Sequence, residues 1–415
     1  MVLSPYVVAL PDLARSDCCL LFGTRKGALV RVSQGLWRRL RGGEVPEAAA
    51  EPLARAGILV ADAEEERRRV LGYLEAVNRA DPGVTAAVFL GLACNFACPY
   101  CYEKPLGRAG AMGEATAERL CAFLLGRLRP GKSLLTVDFY GGEPLLYLPL
   151  LRRIAGALQA GAAARGAHFR FTLVTNGSLL TRRTVDSLGP LGLASAKVTL
   201  DGPPHVHDRS RPLRSGRGSF QAILRNLKEV AGIVPLGVGA NYTAEAWREL
   251  PRLLDRLAAE GLGPERIARV HFAPVMQTGA CAGCATPSEP WLPEAATVLR
   301  GEALRRGYRV PPLAPTPCMV DLDDAFAVGW DGRLWKCPGL VGREGFACGD
   351  LWAGPGPAAP YRPGRWRDEP ACRACPYLPL CFGGCRCLQF HREATLAGVD
   401  CQRPFWEAAL PALVS

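Results

Sequence analysis

Residues 85–102 read Thr85-Ala-Ala-Val-Phe-Leu-Gly-Leu-Ala-Cys94-Asn-Phe-Ala-Cys98-Pro-Tyr100-Cys101-Tyr102. The stretch 85–92 is an apolar run of strand length. Cysteines follow it at spacings of three and then two residues. One loop of that spacing can wrap three thiolates around one face of an iron–sulfur cubane. Zinc also takes thiolates, but a structural zinc site wants a fourth protein ligand. No nearby Cys or His supplies one, and Cys121 falls within an expected helix as a buried apolar residue. A cubane held by three cysteines keeps one iron open, and an open iron can bind an amine and a carboxylate.

Outward from this stretch the pattern repeats. Apolar runs at 85–92, 134–140, 169–175, 196–202, 236–243 and 269–275 alternate with amphipathic segments such as Glu114–Leu128, Leu148–Arg165, Ser219–Gly232 and Ala244–Glu260. Strands alternating with helices indicate βα units around a parallel sheet. The expected class is α/β, a partial (β/α)6 barrel with a small N-terminal α/β domain and an irregular C-terminal domain. In such barrels chemistry sits at the C-terminal strand ends. There the sequence places the cysteine triad, Gly141-Gly142-Glu143-Pro144, Thr175-Asn176-Gly177, Asp201-Gly202-Pro203, and Asn241 with Tyr242.

The chain has 415 residues and calls for two or three domains. Residues 1–82 read as a small α/β unit, with strands at 6–10, 18–24 and 28–33 and a charged helix over Glu64–Arg79. Residues 83–275 form the barrel, 276–317 a Pro- and Gly-rich connector with a helix near 294–306, and 318–415 a turn-rich segment. Net charge is +11, but Arg is scattered on amphipathic helices, so nucleic-acid binding is not read from charge. No apolar run reaches the roughly 18–20 residues of a membrane span. The N-terminus lacks the basic and apolar regions of a signal peptide, and a cytoplasmic location is expected. Seventeen cysteines in such a chain point to metal or redox chemistry rather than disulfides. Cys18 and Cys19 fall in a strand pattern as core residues.

With these elements in order, residues 85–275 resemble the radical SAM superfamily, whose signature is Cys94-x3-Cys98-x2-Cys101 with the aromatic Tyr100. The resemblance implies a [4Fe–4S] cluster on those cysteines and S-adenosylmethionine (SAM) on its open iron. Gly141-Gly142-Glu143 is similar to the turn that receives the SAM amino group. Thr199 and Asp201 are similar to the segment near the ribose, and Arg211 to the residue on the SAM carboxylate. Physically, the glycines allow close backbone approach. Glu143 offers an anion to an ammonium, and Arg211 offers a forked cation to a carboxylate.

The C-terminal pattern Cys318-x13-Gly332-x4-Cys337, Cys372-x2-Cys375-x5-Cys381-x3-Cys385 and Cys401 resembles the SPASM domain of peptide and protein maturases. That resemblance implies one or two auxiliary [4Fe–4S] clusters. Cys318, Cys337 and Cys385 would hold the first, and Cys372, Cys375, Cys381 and Cys401 the second. Two positions depart from the pattern. Pro312 stands where some relatives have a further cysteine ligand, for which Cys281, Cys284 or Cys348 could substitute, or the iron stays open. Pro338 stands where sulfatase-maturing relatives have an Asp base, which disfavours that activity unless Asp321, Asp323 or Asp324 serves instead. Cys387 reads as buried.

The resemblance thus implies reductive cleavage of SAM to a 5′-deoxyadenosyl radical and oxidation of a peptide or protein substrate, forming a thioether or C–C crosslink. An electron donor such as flavodoxin or ferredoxin would supply the reductant. Residues 1–82 are vaguely similar to small peptide-recognition domains that take a leader peptide as an extra strand; a structural cap is the alternative. The competing functions are radical modification of a small molecule or enzyme cofactor, and a non-enzymatic iron–sulfur electron carrier. The glycine turn, Asp201 and Arg211 argue against a carrier, which needs no SAM pocket.

Overall fold

The computed structural model describes residues 1–12, 14–107, 110–276, 289–356 and 361–414. Cys281 and Cys284 lie outside the described residues. By contact the chain divides into two units: residues 1–80, 311–322 and 362–415, and residues 81–310 and 323–361.

The first unit opens with β1 (Val2–Leu3), β2 (Val7–Pro11), β3 (Cys18–Gly23) and β4 (Ala28–Ser33). It continues with α1 (Gln34–Arg41), α2 (Glu47–Ala56), β5 (Leu59–Val60), α3 (Ala63–Leu71) and α4 (Tyr73–Ala80). Strands β2, β3 and β4 form an antiparallel sheet with β3 in the middle. The strand period of two explains why β3 is apolar at nearly every position. Cys19 and Leu21 join a core with Leu40, Leu53 and Ile58. Leu20 and Phe22 join another with Tyr6, Trp366, Leu378 and Phe382. The sequence suggests separate segments at 1–82 and 318–415, whereas contact grouping joins 1–80 with 362–415 through this second core. Polar ties reinforce it: Thr24 Oγ1 donates to Pro376 O at 2.6 Å, and Arg367 Nε to Leu71 O at 2.8 Å. The periodicity that suggests one helix over Glu64–Arg79 is interrupted at Gly72, whose N–H turns back to Arg68 O and Val70 O.

The second unit contains the parallel strands β6 (Gly83–Phe89), β7 (Leu134–Tyr140), β8 (His168–Thr175), β9 (Leu193–Thr199), β10 (Leu236–Tyr242) and β11 (Ile267–Pro274). They lie side by side in chain order. β12 (Ala325–Val328) adds parallel beside β6, and β13 (Leu334–Trp335) antiparallel at the end. Between the strands run α5 (Glu114–Gly126), α6 (Leu148–Ala163), α7 (Arg182–Leu188), α8 (Pro204–Ser210), α9 (Phe220–Val230) and α10 (Leu250–Ala259), with α11 (Trp291–Arg305) after β11. Leu135, Val137 and Phe139 of β7 are buried, while Thr136, Asp138 and Tyr140 alternate onto the less buried face. Cys121 is buried in α5, as expected. The partial barrel expected from the sequence is present, each strand within about three residues of its expected bounds.

Asp324 is built into the barrel's closing edge. Its backbone O accepts Thr85 N–H at 2.9 Å, where β12 meets β6. Its buried carboxylate accepts Arg127 Nη1 at 3.0 Å, Arg129 Nη2 at 2.9 Å and Lys132 Nζ at 3.0 Å. Burial alone would raise its pKa, but these bonds and charges outweigh that and hold it below the usual value. Asp324 is therefore a structural anchor. Asp321 is also occupied, accepting Gly364 N–H at 3.1 Å. Removing one side of a buried ion cluster strands the other, so Asp324→Ala should cost about 3–5 kcal/mol in chemical denaturation at pH 7. Because the folded pKa is depressed, the wild-type advantage should be full above the unfolded carboxylate pKa and fade as pH falls below it.

Candidate active site

The loop after β6 carries the triad. Cys94 Sγ receives Phe96 N–H at 3.4 Å and Asn176 Nδ2 at 3.9 Å. All three thiols are part-buried, and Cys98 is electrostatically coupled to Cys94 and Cys101. Burial pushes each thiol up, Cys98 to about 11. Beside them lies a cavity of about 140 Å³ lined by Cys94, Cys98, Cys101, Glu103, Gly107 and Gly142 among others. That is room for several water-sized groups at about 30 Å³ each. Among the described residues, no three His, Cys, Asp or Glu side chains gather tightly enough for a single metal ion. A cubane asks for a looser arrangement, because each thiolate ligates a different iron. The coupled, part-buried triad beside a small cavity fits that group.

The turn after β7 is strapped to the cysteine loop. Gly142 has φ +36°, and a Cβ there would lie 2.2 Å from Ala93 O. Gly141 beside it has φ +82°. Gly142 N–H donates to Glu103 Oε2 at 2.7 Å, and Glu143 N–H to Ala93 O at 2.9 Å. The Glu143 carboxylate is fully buried and accepts Leu145 N–H at 3.1 Å, Thr175 Oγ1 at 2.7 Å and Asn176 N–H at 2.8 Å. A carboxylate has about four lone-pair sites, so one remains for the ammonium expected there. Glu103 is a participant the motif reading missed. Its only sequence signal is a charge two residues after Cys101.

Arg211 lies at the other side of the triad. Its Nη1 donates to Tyr100 Oη at 2.7 Å and lies 3.9 Å from Asp201 Oδ2. Tyr100 donates in turn to Asp201 Oδ2. Asn241 N–H donates to Asp201 Oδ1 at 2.8 Å. Burial raises the Asp201 pKa, with the Arg211 charge opposing. Arg211 Nε is buried without a hydrogen-bond partner among the described residues. A buried guanidinium N–H lacking an acceptor suits an incoming carboxylate. A relay fixes this arrangement from behind. Asp201 N–H donates to His207 Nδ1 at 3.1 Å, so His207 Nε2 carries the proton toward Ser219 Oγ at 3.0 Å. Ser219 Oγ donates to Arg211 O at 2.7 Å. Burial and the Arg211 charge lower the His207 pKa to about 3, which keeps it neutral. Thr199 ends β9 opposite Gly239. Tyr242 does not join the site; it is buried and packs edge-on to Trp291 at 6.0 Å.

In the first unit, Cys372, Cys375, Cys381 and Cys401 are coupled to one another. Burial raises Cys372 to about 11 and Cys381 to about 12. Phe382, Gly383 and Gly384 take successive left-handed conformations that swing the chain back after Cys381. Cys385 N–H then meets Asp400 Oδ2 at 3.1 Å, next to Cys401. Arg386 is buried, with Nε and Nη2 lacking partners among the described residues, and its charge acts on Cys372. Arg365 is also buried; burial first, and then Arg386, lowers its pKa. Two buried cations that disfavour each other call for an anion. A cluster held by four thiolates supplies one. Cys318 and Cys385 belong to the first unit, and Cys337 and the buried Cys348 to the second. Cys387 is part-buried. Arg386→Met should lower the midpoint potential of a cluster on the four coupled cysteines by roughly 60–120 mV in an EPR redox titration. An unchanged potential would remove Arg386 from that role.

Residues 88–255 match the family model described as the radical SAM superfamily. A curated relative, the PqqA peptide cyclase of Rhodopseudomonas palustris, is 25% identical over 343 residues, covering 77% of this chain and 86% of that protein. Among solved structures, anSMEcpe with bound AdoMet superposes with a TM-score of 0.63 at 18% identity, over 80% of this chain and 98% of that one. Streptococcus suis SuiB bound to precursor peptide SuiA does so with a TM-score of 0.53 at 12% identity, over 96% and 98%. These two likenesses concern the fold. The triad at the end of β6, the turn strapped to it and the family match agree: residues 88–255 of this chain are a radical SAM domain.

Proposed function

We propose that this enzyme oxidises a side chain of a ribosomally made peptide, closing a thioether or C–C crosslink. The observation that carries the reading is the second cysteine set. A SAM-cleaving site alone needs one cluster, whereas this chain gathers four further coupled thiols beside two buried arginines. An auxiliary cluster there would accept the electron released when a substrate radical closes its bond. The relative described as a peptide cyclase and the fold shared with a precursor-bound protein support the peptide class.

When bound, the [4Fe–4S] cluster supplies the electron that splits SAM into methionine and a 5′-deoxyadenosyl radical. The chain's own residues do the positioning. Cys94, Cys98 and Cys101 would hold the cluster, with N–H donors from Phe96 and Asn176 on Cys94. Arg211, fixed by Tyr100, Asp201 and the His207 relay, would take the SAM carboxylate. The Gly141–Glu143 turn would take its amine, and Thr199 would lie near the ribose. Flavodoxin or ferredoxin would donate the electron. No described helix is long and apolar enough to cross a membrane; a cytoplasmic location suits the reduced clusters. The outer edge of the β2–β4 sheet would add a leader strand. Because residues 1–80 share a core with 362–414, that idea is tested by point changes on β4 rather than by deletion.

Two outcomes are expected. Arg211→Lys, which loses the fork, should weaken SAM binding by about tenfold in anaerobic titration. The reconstituted enzyme, given SAM, reductant and the precursor peptide encoded beside its gene, should yield a product lighter by one pair of hydrogens in mass spectrometry. An unchanged peptide mass alongside turnover of SAM would remove the peptide reading and leave the small-molecule one.

A further inference from the structure

Strand β10 reads Leu236-Gly-Val-Gly-Ala-Asn-Tyr242. Leu236, Val238 and Ala240 are buried, so Gly237, Gly239 and Asn241 alternate onto the opposite face of the sheet. Two glycines inside a strand weaken it and mark a place where something approaches closely. The neighbours are basic. On one side Lys197 of β9 pairs with Gly237. On the other, Arg269 of β11 pairs with Gly237 and His271 with Gly239. A Cβ at Gly239 would lie 2.7 Å from Lys197 Cε, so the Lys197 stem is laid across the strand where a side chain would stand. None of Lys197, Arg269 and His271 has an ion-pair partner among the described residues. Asp138, the acid on this face, sits two strands from Lys197 and is engaged by the Thr172 hydroxyl. Arg170, on the same strand as Thr172, reaches Thr136 Oγ1 at 3.3 Å. The result is a notch open over Gly237 and closed over Gly239 by the Lys197 stem, flanked by cations, with Asp138 two strands away on the same face.

Its position gives it a use. Asn241, two residues beyond Gly239 on the same face, bonds Asp201 and Tyr100 next to Arg211. At about 3.3 Å per residue, the notch lies about 7 Å along the strand from the proposed SAM residues. That is where a substrate for hydrogen abstraction must come. We propose that the notch is a carboxylate subsite of the substrate cavity: a carboxylate of the peptide lies over Gly237 against the Lys197 stem that crosses Gly239, paired with Lys197 and Arg269 and hydrogen-bonded by His271. Burial, then the Lys197 charge, lowers the His271 pKa, so it acts as a neutral hydrogen-bonding group. Burial also lowers the Lys197 pKa, with Asp138 opposing; a bound anion would act in the same sense as Asp138. The subsite rests on the peptide reading above.

The carboxylate has two sources, an acidic side chain or a peptide C-terminus, and three synthetic probes separate them. Acetyl-Gly-Glu-Gly-amide carries only the side-chain carboxylate, acetyl-Gly-Gln-Gly only the terminal one, and acetyl-Gly-Gln-Gly-amide neither. Their binding to the reconstituted, SAM-loaded full chain is read by ligand-detected NMR titration. One charged probe should bind about tenfold tighter than the neutral one, and whichever does identifies the source. Lys197→Gln and, separately, Arg269→Gln should each bring that ratio to within about twofold. Equal binding of all three probes, or a preference that survives both substitutions, overturns the subsite. Conversion of the precursor peptide is read independently by mass. If conversion occurs without any charge preference, only the notch fails; if conversion itself fails, the peptide reading goes with it.

Discussion

Glu143 has no solvent contact, and the geometry of the site depends on what it holds. Its backbone N–H binds Ala93 of the cysteine loop, and its carboxylate binds Thr175 and Asn176 at the end of β8. Three consecutive strand ends are thereby tied to one buried anion. Burying a carboxylate is costly unless every oxygen is occupied. Here the carboxylate fixes the end of β8 to the glycine turn, and the Glu143 N–H fixes that turn to the cysteine loop. Gly142 completes the constraint, since a side chain there would collide with the Ala93 carbonyl. The thiols are consequently presented by a rigid frame rather than by a mobile loop, as a site that positions reactants requires.

The second theme is buried cations that await anions. Arg211 Nε, Arg386 Nε and Nη2, and Arg365 Nη1 are all buried without partners among the described residues. Such groups are expensive if left unpaired. Their placement beside the triad and beside the four coupled C-terminal thiols suits the proposed carboxylate at one site and the proposed anionic cluster at the other. The same physics explains the raised thiols. A buried cysteine resists ionisation, and metal coordination reverses that preference.

Much of this was legible in the sequence. The parallel strands, the triad and the glycine turn are local patterns whose spacing survives folding unchanged. The partners were not. Glu103 shows itself only as a charge near Cys101, and its bond to Gly142 spans 39 residues. Asn176 was read as a strand-end residue, but its two roles, on Glu143 and on Cys94, need the folded sheet. Tyr242 was grouped with the strand ends, yet the alternation that sends Asn241 inward sends Tyr242 outward to Trp291. The core shared by β3 and Trp366 was illegible because it joins residues more than 300 apart in the chain. In sequence Asp324 is a possible base like Asp321 and Asp323, and only the converging Arg127, Arg129 and Lys132 reveal an anchor.

Every other role proposed for this chain depends on the triad, framed by Glu143 and Arg211, generating a radical from SAM. The most direct measurement is anaerobic release of 5′-deoxyadenosine by the iron-reconstituted, reduced chain, compared with its Cys98→Ala variant. Release by the wild type and none above background from the variant is the predicted result. A wild type that binds iron and SAM yet releases no more 5′-deoxyadenosine than Cys98→Ala would contradict it.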